Sequence, residues 1–361
     1  MRIAYVIDKM VRAGAQRHLA QVIRGIGDRG HQPILCCLLY AGPLGEELEK
    51  AGVPVSVLGL KGVVGRDFFR AVSALRRLCV SEDIDIIHAY LFAANIVAPW
   101  AGLFSGRRVI TSRRDDGFWK RPRHIIAHRL GNVFTSRVTA NSRSVVEYLR
   151  LREHLPGKRI SLIYNGIDPR PPSAPRPARK TVRIGCLGNI RPVKGYEDMV
   201  KALARLDPGL SWEAHIAGRD LERDHALFLK NLVRETGLEK RVVWTGEIDE
   251  PYAFLESLDI FVLPSRSEGF SNSLLEAMSC ACPVVATAVG ANDEVIRAGR
   301  DGIVVPPADP AALARELEKL VVSATRRESW GRSARLRARE FSTRKMLGQM
   351  DALYREVGGG R

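Results

Sequence analysis

The sequence predicts two α/β domains, each a doubly wound parallel sheet, joined by a proline-rich linker. Three observations predict this. Short apolar runs alternate with amphipathic segments over the 361 residues, as in parallel sheets covered by helices on both faces. The alternation stops once, at "PRPPSAPRPARK" (residues 169–180), where five prolines in twelve residues read as an extended linker. The length suffices for two full cores, and 45% hydrophobic with 27% charged residues is ordinary for a globular protein and excludes disordered or collagen-like chains.

The elements follow in order. In the first half, "RIAYVI", "QPILCCLL", "VPVSVLGL", "DIDIIHAY", "RRVITS", "RVTAN" and "ISLIYNG" read as strands, with helical stretches such as residues 16–28 and 67–80 between them. After the linker come strands "VRIGCLG", "WEAHIAG", "RVVWTG", "DIFVLP", "PVVAT" and "GIVVPP". Helices are expected over 199–205, 223–236, 251–258, 272–279 and 310–322, and a mostly helical tail over 329–357. The expected domains are 1–168 and 181–335, with 169–180 as linker and 336–361 as a C-terminal helix. Doubly wound sheets bind ligands beyond the carboxyl ends of their strands. Two such domains facing each other would enclose a cleft lined by the residues that follow the strands.

Other classes are weakly supported. Cys36, Cys37, Cys79, Cys186, Cys280 and Cys282 form no CxxC pair, and most lie in apolar runs. They read as reduced core thiols of a cytosolic protein. The N-terminal "MRIAYVIDKM" is interrupted by Asp8 and Lys9 and is not expected to be a signal peptide. Residues 86–104 carry no Asp, Glu, Lys or Arg, but His88, Asn95 and Pro99 interrupt them, so a buried strand and helix are expected rather than a membrane span. The net charge of +16 is uneven: 26 Lys and Arg stand against 14 Asp and Glu in residues 1–168, and 30 against 26 in the rest. Such a field favours an anionic partner without naming it.

Three loops and one histidine carry the chemistry. "DKMVRAGAQRHL" follows the first strand, and Gly14 opens a helix whose N–H groups suit a phosphate; a simple turn is the other reading of Gly14. "LGNIRPVKGYEDMV" places Gly188 at a strand end and Arg191 and Lys194 before a helix. Two cations there suit a diphosphate, though a solvated basic turn has the same composition. "SRSEGFSNSLLEAMSC" puts Glu268 before a helix capped by Ser271 or Asn272, and Glu276 one turn into it. Paired carboxylates can accept the hydrogen bonds of vicinal sugar hydroxyls, and Glu276 can equally be a helix-favouring surface residue. His88, after "IDII", is expected at the cleft rim, as a rim residue or a catalytic one.

Together these residues resemble the glycosyltransferases of the glycosyl-transferases-group-1, or family-4-like, type, with the retaining GT-B architecture. "GNIRPVKGYEDMVKAL" is similar to that family's phosphate loop. "SEGFSNSLLEAMSCACPVVATAVGANDEVI" resembles its glutamate–seven residues–glutamate motif, "AGAQRHL" its glycine-rich first loop and "YNGID" its hinge. The resemblance covers nearly the whole chain, most strongly 183–306. It implies that Gly14, Gly188, Arg191, Lys194, Glu268, Gly269, Phe270, Ser271, Asn272 and Glu276 bind the donor, a nucleotide-sugar. Arg191 and Lys194 would neutralise the departing diphosphate, Glu276 would hold the ribose, Glu268 the moving sugar, and His88 would lie near the bond that breaks. It also implies a C-terminal helix that packs back on the first domain, and no cofactor or metal, the two cations filling the metal's electrostatic role.

Ala13, Gln16 and Ala281 stand where this family commonly has Gly, Glu and Gly, and "TSRRDDGFW" lacks the histidine of many relatives. A non-glycine residue at positive φ costs about 1–2 kcal/mol, so a different helix end is expected at Ala281. Arg113, Asp115 and Asp116 are the acceptor-side candidates. The implied reaction is metal-independent transfer, with retention, of a hexose or N-acetylhexosamine from a UDP-sugar to a hydroxyl of a lipid-linked or cell-surface glycan intermediate. Residues 107–129 hold eight Lys and Arg against two Asp, with Phe118 and Trp119 among them. That face is expected to dock on anionic membrane from the cytoplasmic side. A nucleotide-sugar 2-epimerase is the alternative within the architecture. A nucleic-acid-binding protein, the alternative outside it, lacks any recognisable motif.

Overall fold

The computed structural model describes residues 1–63, 65–168 and 179–359, so most of the proline-rich segment (169–178) lies outside the described residues. The chain divides into two compact units, Met1–Gly166 with Thr343–Arg361, and Ile167–Ser342.

Among the described residues, the first unit holds seven strands: β1 (Arg2–Lys9), β2 (Gln32–Tyr40), β3 (Val55–Val57), β4 (Ile86–Tyr90), β5 (Arg108–Arg113), β6 (Arg137–Ala140) and β7 (Ile160–Leu162). They form one parallel sheet in the order β3-β2-β1-β4-β5-β6-β7. Strand β1 shows why its sequence reads as a continuous apolar run. Ile3, Tyr5 and Ile7 face a core shared with helix Gly14–Ile26 and the C-terminal helix Thr343–Gly358. Ala4 and Val6 face the opposite core, under helices Arg66–Ser81 and Phe92–Ser105. A strand buried on both faces needs apolar side chains at both phases of its two-residue period.

The apolar run after Asp85 divides as its polar interruptions foretold, into β4 and helix Phe92–Ser105. Pro99 lies inside that helix and is buried. Among the described residues, no helix is long and apolar enough to cross a membrane. All six cysteines are buried and free.

The second unit holds β8 (Val182–Leu187), β9 (Trp212–Ala217), β10 (Val242–Gly246), β11 (Ile260–Leu263), β12 (Val284–Thr287) and β13 (Gly302–Val305). They run parallel in the order β10-β9-β8-β11-β12-β13. Both sheets therefore reverse their winding once, between β1 and β4 and between β8 and β11. Such switch points leave a crevice at the carboxyl ends of the two central strands.

Candidate active site

The switch point of the second unit gathers two of the three loops that the sequence singled out. After β8, the chain makes a single turn of 3₁₀ helix, Pro192–Lys194, and enters helix Tyr196–Leu203. Gly195 joins them at φ 65°, and a Cβ there would lie 2.0 Å from the carbonyl oxygen of Pro264. Only glycine lets the Lys194 loop press this closely on the loop after β11. Gly290 does the same from the other side, since its Cβ would come within 2.7 Å of the carbonyl oxygens of Glu268 and Gly269.

Between these contacts, Lys194 Nζ lies 2.5 Å from Glu268 Oε1, and Ser265 Oγ donates to the same oxygen at 2.7 Å. The Glu268 side chain is 11% exposed and that of Lys194 27%. A half-buried charge-assisted pair of this kind orients both groups. The two loops are latched further by Arg266, whose Nε and Nη2 bind the Asp198 carboxylate at 3.0 and 3.1 Å, while its backbone N–H donates to the Val193 carbonyl. Arg266 also pairs with Glu197. The sequence reading did not single out this latch. Its only signal was an Arg in a strand-following loop beside an acidic helix start.

Helix Asn272–Ser279 begins immediately beyond. Ser271 caps it, its Oγ accepting from the Leu274 N–H at 3.3 Å, so of the two expected caps the serine serves. Phe270 and Ser271 are buried, and Asn272 and Glu276 half-buried. Gly188 ends β8, and its carbonyl accepts from the Tyr196 hydroxyl at 2.5 Å. Arg191 is not drawn into this group: its Nε faces Glu222 Oε1 at 3.3 Å, and both side chains are about half exposed. At the helix end, Ala281 adopts φ 55°, and the Cys282 N–H reaches back to the Ala277 carbonyl. The expectation of a differently built end is thereby corrected: the left-handed terminus that usually takes glycine is made with alanine.

In the first unit, Gly14 opens helix Gly14–Ile26 directly after the β1 loop. His88 is not at a rim. It is fully buried on β4, with Nδ1 2.8 Å from the Tyr354 hydroxyl and Nε2 2.9 Å from Ser112 Oγ. Burial, with the Arg114 charge second, pushes its pKa down to about 3, so it is neutral. The sequence placed it near the strand end, but not against Tyr354, which lies 266 residues away and packs on the sheet from the C-terminal helix.

The acceptor-side candidates also find structural partners. Arg113 is buried and binds both Glu153 oxygens at 3.0 Å. Burial raises the Glu153 pKa, but the Arg113 charge outweighs it and holds the carboxyl down at about 2. Asp115 accepts from the Gly117 N–H and from Trp119 Nε1, and Asp116 from the Phe118 N–H. These two aspartates shape the turn that leads to Trp119.

Two doubly wound parallel-sheet units in one chain, with cation and carboxylate loops at a switch point, define the GT-B class of glycosyltransferase architecture. The family follows from comparison. Residues 12–170 match the Glycosyltransferase Family 4 model, and residues 181–323 match Glycosyl transferases group 1. The chain belongs to this family of glycosyltransferases. A lipopolysaccharide core biosynthesis mannosyltransferase of Rhizobium leguminosarum, LpcC, is 32% identical over 181 residues, covering 49% of this chain and 51% of that protein. The chain thus spans about half the length of this relative. The Methanocaldococcus jannaschii glycosyltransferase MJ1178 is 25% identical over 304 residues, 80% of this chain and 82% of that one. Among solved structures, Anabaena Alr3699/HepE in complex with UDP superposes with a TM-score of 0.87 at 20% identity, covering 99% of this chain and 100% of that one.

Proposed function

We propose that this protein transfers a hexosyl or N-acetylhexosaminyl group from a UDP-sugar to an acceptor hydroxyl, with retention and without a metal. The observation that carries the reading is the Lys194–Glu268 pair at 2.5 Å between two latched loops. A donor diphosphate would draw Lys194 off Glu268 and free the carboxylate for sugar hydroxyls. In the transfer, the bond from the anomeric carbon to the phosphate oxygen breaks, and its electron pair leaves with UDP. The acceptor oxygen bonds to that carbon and passes its proton to the departing phosphate oxygen. Lys194, with Arg191 from the same loop, opposes the charge that grows on the diphosphate, and a fixed cation is most effective where water is excluded. Glu276 holds the ribose, and the N–H groups at the start of helix Asn272–Ser279 add their dipole. Gly14 opens the matching loop of the first unit. The UDP complex of a structural neighbour supports the choice of nucleotide.

The reading further takes the acceptor as lipid-linked and the protein as peripheral on the cytoplasmic side of an anionic membrane. Helix Pro122–Val133 supports it. Ile126, Leu130 and Val133 are 56%, 56% and 68% exposed and stand at i, i+4 and i+7 on one face. Arg121, Arg123 and Arg129 beside them are exposed, as are Phe118 and Trp119 on the adjoining turn. Apolar ridges flanked by cations suit the interface of anionic bilayers.

The test is UDP release from UDP-sugars, with EDTA present, in the presence and absence of membrane-extracted acceptor. Acceptor-dependent UDP release supports transfer. An epimerised nucleotide-sugar without acceptor-dependent release would overturn it. Flotation with phosphatidylglycerol vesicles tests the membrane face, and equal flotation of wild type and Leu130→Ser would remove it.

A further inference from the structure

A cavity lies wholly within the first unit, at the switch point between β1 and β4. It has a volume of about 270 Å³. That is room for one pyranose unit with its substituents. One wall is apolar and aromatic, with Leu91, Phe92 and Trp119; the rings of Phe92 and Trp119 meet edge to face at 5.3 Å. Leu91 is held at φ 68°, a conformation that costs a non-glycine residue about 1–2 kcal/mol and survives only where the surroundings impose it.

The opposite walls are polar, and several of their atoms lack partners. Both ring nitrogens of His128, Arg113 Nη1, Arg114 Nε and Asn95 Oδ1 are buried with no hydrogen bond. His128 is 1% exposed, Arg113 and Asn95 3%. Buried polar atoms are nearly always satisfied, and each orphan costs about 1–3 kcal/mol. The side chains that carry these atoms line the cavity, and Arg113 and Arg114 among them are cationic.

The charges point the same way. Glu153 is committed to Arg113, and Asp115 to Gly117 and Trp119. Lys120, its side chain 3% exposed, forms ion pairs with Glu153 at 3.7 Å and with Asp115 at 3.9 Å. The Arg114 guanidinium donates to the Asn165 amide oxygen at 2.5 Å; no ion pair to a carboxylate engages it among the described residues. Burial pushes its pKa down to about 10, so it stays charged. A buried cation without a counter-charge carries a desolvation cost that an incoming anion relieves. Across the cavity, Asp8 ends β1 and accepts the Ala94 N–H at 3.2 Å.

We infer that this cavity binds an acidic sugar unit of the acceptor. Arg114, Lys120 and Arg113 Nη1 meet its carboxylate or phosphate oxygens, Phe92 and Trp119 cover its ring, and Asp8 accepts a hydroxyl hydrogen. The inference rests on the transfer reading above and supplies its substrate class. It keeps Arg113 from the acceptor-side candidates of the sequence and adds Arg114, Lys120 and Asp8, while Asp115 and Asp116 hold the turn that leads to Trp119.

The probes are D-glucuronate, D-glucose 6-phosphate and neutral D-glucose, titrated into the full chain. The indole N–H signal of Trp119, identified with a Trp119→Phe sample, reports the cavity. UDP is titrated separately by calorimetry. Saturable shifts by either acid, with glucose at least tenfold weaker, support the inference, and the acid that acts names the anion. Arg114→Gln should weaken acid binding at least tenfold, and Arg114→Lys should restore part of it. Equal response to all three sugars, undiminished acid binding by folded Arg114→Gln, or UDP binding with no response to either acid would overturn it. Acid binding without UDP binding would strike the transfer reading and leave the acidic-sugar site standing.

Discussion

Replacing Asp8 by Asn should stabilise the first unit at neutral pH and impair it as a sugar site. Burial, opposed by the Ala94 N–H, then by Lys9 and the Ala93 N–H, raises the Asp8 pKa from 3.8 to about 6. The folded state therefore binds a proton that the unfolded chain releases between these values. Stability from this group is complete below pH 4 and falls as the pH rises through 6. Two units at 1.36 kcal/mol each make the charged form cost about 3 kcal/mol above pH 7. Asparagine is neutral, similar in shape and still accepts the Ala94 N–H, so Asp8→Asn should recover up to that amount at pH 7.5 and almost nothing at pH 4. Hydrogen exchange of β1 and of the Ala94 amide, at several urea concentrations and both pH values, measures the change within this unit. A variant less stable than wild type at pH 7.5, or equally stabilised at both pH values, would refute the reasoning. A carboxylate kept charged at such a cost accords with a functional use.

Lys194→Ala should lower turnover by about 10²–10³ with an unchanged circular dichroism spectrum, and UDP release at saturating donor measures it; near-normal turnover by the folded variant would remove Lys194 from catalysis. Arg113→Met leaves the buried Glu153 with Lys120 at 3.7 Å as its remaining ion-pair partner among the described residues and Asn132 Nδ2 as a donor and should cost about 3 kcal/mol in urea unfolding, whereas adding Glu153→Gln should return a large part of it. Ala281→Gly should relieve the φ 55° strain, worth about 1–2 kcal/mol, against about 0.4–1 kcal/mol of added chain freedom in the unfolded state. A small net gain in melting temperature is expected, and a loss would show that the alanine methyl packs favourably there.

The loops of the candidate site were legible because each is a contiguous segment that follows a strand. "RPVK" and "SEGFSNSLLEAM" carry their charges and their cap in a few adjacent residues, so spacing alone places them at helix starts. The cavity of the first unit was not legible. Asp8, Phe92, Arg114 and His128 come from four separate segments, and each taken singly is an unremarkable loop or helix residue. The same blindness put His88 at a rim, since nothing near it in the chain announces Tyr354. Ala281 erred in the opposite direction: local propensity argued against the left-handed helix end. The close seat of Gly331, where a Cβ would lie 2.2 Å from the Ala281 carbonyl oxygen, belongs to packing.

The sequence by itself determined the number of sheets, the parallel winding and the loops proposed for a nucleotide-sugar, because apolar period, strand-ending glycines and helix caps are local properties of the chain. Which strands stand at the centre, which charges pair and which remain without a counter-ion was decided only by the tertiary structure. Those outcomes depend on distances between residues far apart in sequence, and on the burial that makes an unpaired Arg114 or a charged Asp8 costly.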